Sequence, residues 1–577
     1  MSESTPSDTP SDSGAIQPEI DARTGERIWQ ASLAPCTGGA PNIQTLCARP
    51  HVVIPIVFLP GIMGTNLRAK GSSKIVWRPP NGVLEKIGAL LWFFCGPKKR
   101  QKLLNMKNVD VDLNGPIDAG DCGLSEALLH DRGWGAVIKS AYHPVMAKMQ
   151  ETLNAMIKTP ADGVRPAVFT DFWRMPGTGE RAADGKELKG LGVGRRDPAA
   201  YGGQGGKQAI KALTDDEINQ AANYQFDVWC GGYNWLQSNQ KSAQDIQTYI
   251  EGTVLKYYAD KDIPAEKVII VTHSMGGLVS RALTLLSGFD KVLGVVHGVQ
   301  PATGAPSFYH HMRCGYEGVA QAVLGSNAGE VTAVVAKAPG ALQLAPSFDY
   351  DNGNSWLHLQ DAQADTPVKS LPESKNPYGE IYTSTEWYGL VPPENTKYLD
   401  MSKKQKTTSP KADNPRGGFE KNVGNAKAFH VEIARQYFSE TWVHYCADKA
   451  LHSWQTIEWK GDLSKIGAVG YYDNKNGVYG GEEVDHFSYD GTPRWVPVVE
   501  LKSVDPQGGD GTVAAKSAMA PELAKAVQAS FRHGSEGTGD FNPEKGYEHP
   551  ESYLDERAQW ATLYSIVKIA QLATWHK

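Results

Sequence analysis

The chain has 577 residues, more than one compact core holds, since cores stop growing at roughly 250–300 residues. One domain with large insertions, or two domains, are the natural organisations. Its composition, 41% hydrophobic and 21% charged with a net charge of -6, is that of a globular protein without the basic stripe that nucleic-acid binding requires. The most apolar stretch, residues 87–95 (IGALLWFFC), is far shorter than the ~20 residues that span a bilayer, which excludes an integral membrane protein.

Residues 1–25 open with Ser, Thr, Pro and Asp and carry neither a basic start nor an apolar run. This segment is expected to be a disordered leader, and the protein to be made in the cytoplasm without a Sec signal peptide. The seven cysteines, Cys36, Cys47, Cys95, Cys122, Cys230, Cys314 and Cys446, are scattered and lack metal-type spacing. They suit a reducing compartment, with a Cys36–Cys47 bridge left open.

The first expected strand is 52–59 (VVIPIVFL), which runs into the glycine-containing turn 60–67 (PGIMGTNL). Residues 68–225 are interrupted by Gly, Pro and Asn and read as a first insertion, a cap or lid. Within it, Leu90, Leu91, Trp92, Phe93 and Phe94 precede Lys98, Lys99 and Arg100. Two readings fit, a membrane-touching edge or a buried cap helix with a solvated end. Residues 110–121 (DVDLNGPIDAGD) match a calcium-loop pattern except at the seventh and twelfth positions; calcium there is the less favoured reading against an Asx-rich turn, and no cofactor is expected to be required.

A helix over 242–256 leads to a second buried strand, 268–271 (VIIV), followed by 272–277 (THSMGG) and a helix over 277–286. A strand running straight into a Ser among small residues, with a helix starting at once, is the nucleophile elbow of an α/β-hydrolase fold. It lifts the Ser274 hydroxyl out of the sheet. The usual first glycine is replaced by Thr272, and the backbone N–H of Met275 lies where the helix N-terminus favours an oxyanion. The second oxyanion donor is expected from the 60–67 turn, at the Ile62 N–H with Met63 second.

A third strand, 292–296 (VLGVV), leads to 301–306 (PATGAP), and residues 307–493 form a second insertion. The strand-like 495–501 (WVPVVEL) then precedes 507–513 (QGGDGTV), and a helix over 555–572 closes the chain. Alternating strands and helices predict a mostly parallel sheet covered on both faces, built from 50–67, 226–306 and 494–577, with two inserted caps.

In this fold the acid and then the base follow the serine. Asp510, on its glycine-rich loop, is the acid, ahead of Asp505 and Asp485. His549, in 546–554 (GYEHPESYL) just before the last helix, is the base, ahead of His533; His576 is too close to the end, and His273 reads as packing. The expected chemistry is acyl transfer through a Ser274–His549–Asp510 triad, with oxyanion donors at Ile62 and Met275.

With these pieces in place, the segments PGIMGT at 60–65, YNWLQSN at 233–239, THSMGG at 272–277, PATGAP at 301–306, GDGTV at 509–513 and GYEH at 546–549 resemble the lecithin:cholesterol acyltransferase-like lipases. More narrowly, the chain resembles bacterial type VI secretion lipase effectors with a GPI-inositol-deacylase-like core. The resemblance implies a phospholipase A-type esterase acting at a phospholipid membrane surface of a target cell, after export by a specialised secretion system. It also implies a cognate immunity protein and a secretion-apparatus partner. An acyltransferase or neutral lipase would share the acyl-enzyme. A silent binding protein would be expected to lack Ser, Asp, His or the glycine loops, and none is missing.

Overall fold

The computed structural model describes residues 15–16, 19–25, 27–33, 42–48, 52–79, 95–160, 168–173, 197–207, 209–316, 324–401, 414–466, 478–487, 493–504, 508–534 and 545–575. Residues 90–94, Cys36, Asp505 and His576 lie outside them.

Among the described residues a seven-stranded sheet carries the fold: β1 (Val53–Leu59), β2 (Gly203–Gly205), β3 (Gln225–Cys230), β4 (Val268–His273), β5 (Val292–Gly298), β6 (Thr441–Cys446) and β7 (Ala529–His533), in the order β2-β7-β6-β5-β4-β1-β3. All neighbours run parallel except β2, which pairs antiparallel with β7 at the edge. Buried parallel strands cannot alternate apolar with polar, because both faces are covered. Every residue of β1, β4 and β5 is accordingly buried.

The period of two instead divides each strand between two cores. Val53, Val57 and Leu59 of β1 face one core; Ile54, Ile56 and Phe58 face the other. The second face is covered by α1 (Lys139–Asn154), and the first by α2 (Asn239–Tyr249) and α3 (Gly276–Leu286). Helix α4 (Ser307–Cys314) and α5 (Pro415–Ile433) add to the first face, and α6 (Glu556–Ala570) closes the second.

Three sequence-based boundaries shift. Strand β6 falls inside the expected second insertion, 307–493, yet lies between β5 and β7 in the interior of the sheet. Strand β2 and α1 likewise come from the expected first insertion, 68–225. Conversely, the 495–501 run expected in the core belongs to Pro493–Val504 of a separate five-stranded sheet. That sheet joins Lys369–Leu371, Leu357–Asp361, Thr456–Gly461, Pro493–Val504 and Val478–Phe487 in order. An apolar run specifies burial rather than which sheet it joins, and Ile457, Trp459 and Val499 bury into the same core as β1 and β4. The expected leader is also partly ordered: Ala15–Ile16 pairs with Ile157–Pro160, and Glu19–Ile20 with Arg27–Leu33. These pairings recruit partners the local sequence does not reveal.

Cys95, Cys122, Cys230, Cys314 and Cys446 are buried and unbridged. No helix among the described residues is long and apolar enough to cross a membrane.

A buried ion pair ties β3 to the segment that precedes α1. Arg132 Nη2 lies 3.0 Å from Asp227 Oδ2, with side-chain exposures of 1% and 2%. Asp227 also accepts hydrogen bonds from Tyr258 Oη at 2.7 Å and Gln225 Nε2 at 3.0 Å. Removing one partner strands the other charge out of water, at about 3–5 kcal/mol. Asp227→Ala is therefore expected to lower the unfolding free energy by that amount, read from the midpoint and slope of chemical unfolding; an unchanged midpoint would show that Arg132 finds another acceptor.

Candidate active site

Ser274 follows β4 directly and has φ 53°, a left-handed conformation that non-glycine residues hold only when their surroundings enforce it. Its amide donates to the Gly298 carbonyl and its carbonyl accepts from the Gly277 amide, each at 2.9 Å. A Cβ on Gly276 would lie 2.5 Å from the Leu59 oxygen, and one on Gly61 would lie 3.0 Å from Ser274 Cβ. Backbone approach this close leaves room for glycine alone. Thr272 is accommodated because it still belongs to β4, where its hydroxyl meets His297 Nδ1 at 3.0 Å.

Asp510 and His549 are brought together across the chain. His549 Nδ1 lies 2.6 Å from Asp510 Oδ2, and the His549 amide donates to the Asp510 carbonyl at 2.7 Å. The other carboxylate oxygen accepts the Thr512 amide at 3.0 Å and the Val513 amide at 2.6 Å. Both carboxylate oxygens thus receive donors. With the Asp510 carboxylate as acceptor at Nδ1, the neutral imidazole of His549 carries its proton there and its lone pair on Nε2.

Ser274 and His549 line one cavity of about 210 Å³, with Ile62, Phe308, Leu344 and Val513 among its apolar walls. Ser274 is 5% exposed and His549 7%. Ile62 reaches this cavity and Met275 follows the serine; among the described residues neither backbone amide has a hydrogen-bond acceptor. Met63, with φ 62°, turns its carbonyl to Trp77 Nε1 at 2.6 Å.

The rival residues lie elsewhere. Asp485 is in the edge strand Val478–Phe487 of the second sheet. His533 ends β7 with Nδ1 at 2.8 Å from Tyr547 Oη and Nε2 at 3.1 Å from the Tyr201 carbonyl. In the calcium-like stretch, Asp112 pairs with Arg78 at 2.5 Å and caps the Asn114 amide at 3.1 Å, while Asp118 accepts the Gly120 amide at 3.1 Å. Local turns and one ion pair thus occupy these carboxylates.

Sequence reasoning missed the supports of the loops that bear Asp510 and His549. The Asp448 backbone exchanges hydrogen bonds with Gly509, each at 3.1 Å. Its side chain accepts the Gly546 amide, and Ser453 Oγ accepts the Gly511 amide at 2.8 Å. One buried residue just beyond β6 thereby anchors both the loop bearing Asp510 and the loop bearing His549. Nothing in its local sequence marks it, because its partners lie more than sixty residues away by number.

Burial lowers His273, His297 and His310 to about 3, and His143, His311, His430 and His533 to about 4. These folded values lie below the unfolded value of about 6.5, so the unfolded chain binds more protons in acid. Stability is then full above about pH 6.5 and is lost as pH falls toward 4, by up to ~1.4 kcal/mol per pH unit per histidine. Thermal unfolding is expected to show Tm falling steadily between pH 7 and pH 5; a flat Tm over that range would contradict the buried neutral state.

The PGAP1-like alpha/beta domain family matches residues 215–323, the stretch holding β3, β4, the elbow and β5. The structure solved as the Tle4-Tli4 complex is similar with a TM-score of 0.76 at 46% identity, covering 90% of this chain and 99% of that one. No curated protein matches the sequence. Coverage of this extent takes in core and insertions alike, and with the elbow at Ser274 the identity places the chain in the Tle4 family of α/β-hydrolase lipases, to which this protein belongs as a type VI secretion lipase effector.

Proposed function

We propose that this serine ester hydrolase is a phospholipase of the A type, with Ser274, His549 and Asp510 as its triad and the Ile62 and Met275 amides as its oxyanion donors. The observation that carries the reading is the 2.6 Å contact between His549 Nδ1 and Asp510 Oδ2 at the wall of the cavity that Ser274 also lines. His549 Nε2 takes the Ser274 proton as Oγ attacks the ester carbonyl. The two amides hold the resulting oxyanion. The imidazolium then protonates the departing lysophospholipid alcohol, and the same base activates the water that frees the fatty acid. These steps need no cofactor.

The apolar cavity walls suit an acyl chain. Its 210 Å³ is below the roughly 300–1,000 Å³ of ordinary ligand pockets, and Ser274 is nearly closed off. A membrane lipid therefore enters only after elements over the serine, such as α4 with Phe308, move aside. Because the Tle4 structure was solved with Tli4, we assign this chain a cognate immunity partner in the producing cell, and delivery by a secretion apparatus to target membranes.

Purified protein and a Ser274→Ala variant, each given defined phospholipids, provide the test. Free fatty acid and lysophospholipid, identified by mass spectrometry only with the unaltered protein, are the expected products. Release of a phosphorylated or free head group instead would place the chemistry at a phosphodiester and overturn the reading.

A further inference from the structure

We propose that Tyr142 and His273 form a positioning relay that couples the oxyanion loop to the base, which deepens the triad reading and rests on it. Four segments meet in one chain of hydrogen bonds. The Gly61 amide lies 3.2 Å from Tyr142 Oη, Tyr142 Oη lies 3.1 Å from His273 Nδ1, and His273 Nε2 lies 3.0 Å from the His549 carbonyl.

The ends determine the direction. An amide only donates and a carbonyl only accepts. His273 must therefore carry its proton on Nε2, its Nδ1 must accept, and the Tyr142 hydroxyl must donate to it while accepting from Gly61. Burial keeps this pattern in one state, since it lowers His273 to about 3, with the neighbouring His549 adding to the effect, and raises the Tyr142 phenol. Both rings are buried, and they meet edge-on with centroids 5.4 Å apart. His273 is thus no second base, because both of its nitrogens are committed. Tyr142, though it lines the cavity, has no proton left to offer an oxyanion.

The relay holds what the reaction needs held. His549 is gripped at three points: its amide by the Asp510 carbonyl at 2.7 Å, its Nδ1 by the Asp510 carboxylate at 2.6 Å, and its carbonyl by His273 at 3.0 Å. Without the third grip the residue can pivot about the Asp510 loop. At the other end, Gly61 has no side chain to restrain it, and its amide is fixed by Tyr142. The neighbouring Ile62 amide inherits that orientation. A misplacement of about 1 Å in such groups is enough to cost on the order of 10²-fold in rate.

Tyr142→Phe removes one hydroxyl and keeps the ring against Phe58, whose centroid is 5.1 Å away. On a soluble short-chain ester, kcat per site titrated with a fluorophosphonate is expected to fall about 10- to 100-fold with KM unchanged. His273→Leu should fall at least as far, and His273→Gln, which keeps a donor at the Nε2 position, should recover part of the loss. Titration counts only competent sites, so poor folding does not imitate the effect. Wild-type kcat per titrated site in Tyr142→Phe and His273→Leu, or a change confined to KM, would overturn the relay. Ser274→Ala and His549→Ala, assayed alongside, report on the triad itself: retained activity there would sink that reading instead.

Discussion

Ser274→Ala is expected to lower phospholipid turnover on the order of 10⁶-fold, as loss of the nucleophile does in other triad enzymes. The expectation rests on what else the cavity offers. Ser307 lines it too, but its hydroxyl is spent on the Thr512 carbonyl at 2.7 Å. Thr512 presents its carbonyl to that bond and its amide to Asp510. The Tyr142 hydroxyl, which also lines it, donates to His273, whose other nitrogen is already spent on the His549 carbonyl. The residue left after substitution still meets free Ile62 and Met275 amides, so a remnant on the order of 10³–10⁴ over water is expected from oxyanion and binding effects alone. Activity at a few per cent of wild type, measured with a pure preparation, would mean that another nucleophile does the work.

Asp510→Asn is expected to cost about 10⁴-fold in kcat while leaving the fold intact. The asparagine oxygen can still accept the Thr512 and Val513 amides that Asp510 Oδ1 accepts now. Its amide, however, presents a donor to His549 Nδ1, where the carboxylate accepted at 2.6 Å. The imidazole then carries its proton on Nε2, and the lone pair needed to take the Ser274 proton is gone. Substitution in place of the charge also removes the anion that stabilises the imidazolium. Asp448, which anchors the same loops, is bound to the Gly546 and Ala450 amides and so does not replace it. A variant with near-wild-type kcat would show that His549 is oriented by something else.

Local chemistry made the elbow legible. Strand, sharp turn and helix are consecutive in sequence, and the small residues around Ser274 are there because β4, α3 and the loop after β1 crowd together, as the 2.5 Å approach at Gly276 shows. Asp510 and His549 could be placed by chain order and by their glycine-rich or helix-preceding loops. The parallel sheet was readable for the same reason, since uninterrupted apolar runs are what two covered faces demand.

Pairing between distant segments was not legible, because hydrogen bonds and packing across the sheet leave no mark on either partner alone. Residues Thr441–Cys446, with Trp, His and Tyr among them, become an interior strand only by lying beside β5 and β7. The more strand-like Pro493–Val504 goes to the other sheet. Arg132 and Asp227 look like ordinary surface charges until burial forces them together. His273 reads as packing from its place in the strand, and only the fold puts Tyr142 at one nitrogen and the backbone of His549 at the other. Sequence alone singled out the residues proposed to react, because the elbow and its flanking loops are local features; the tertiary structure decided what holds them still, because that work falls to partners scores of residues away.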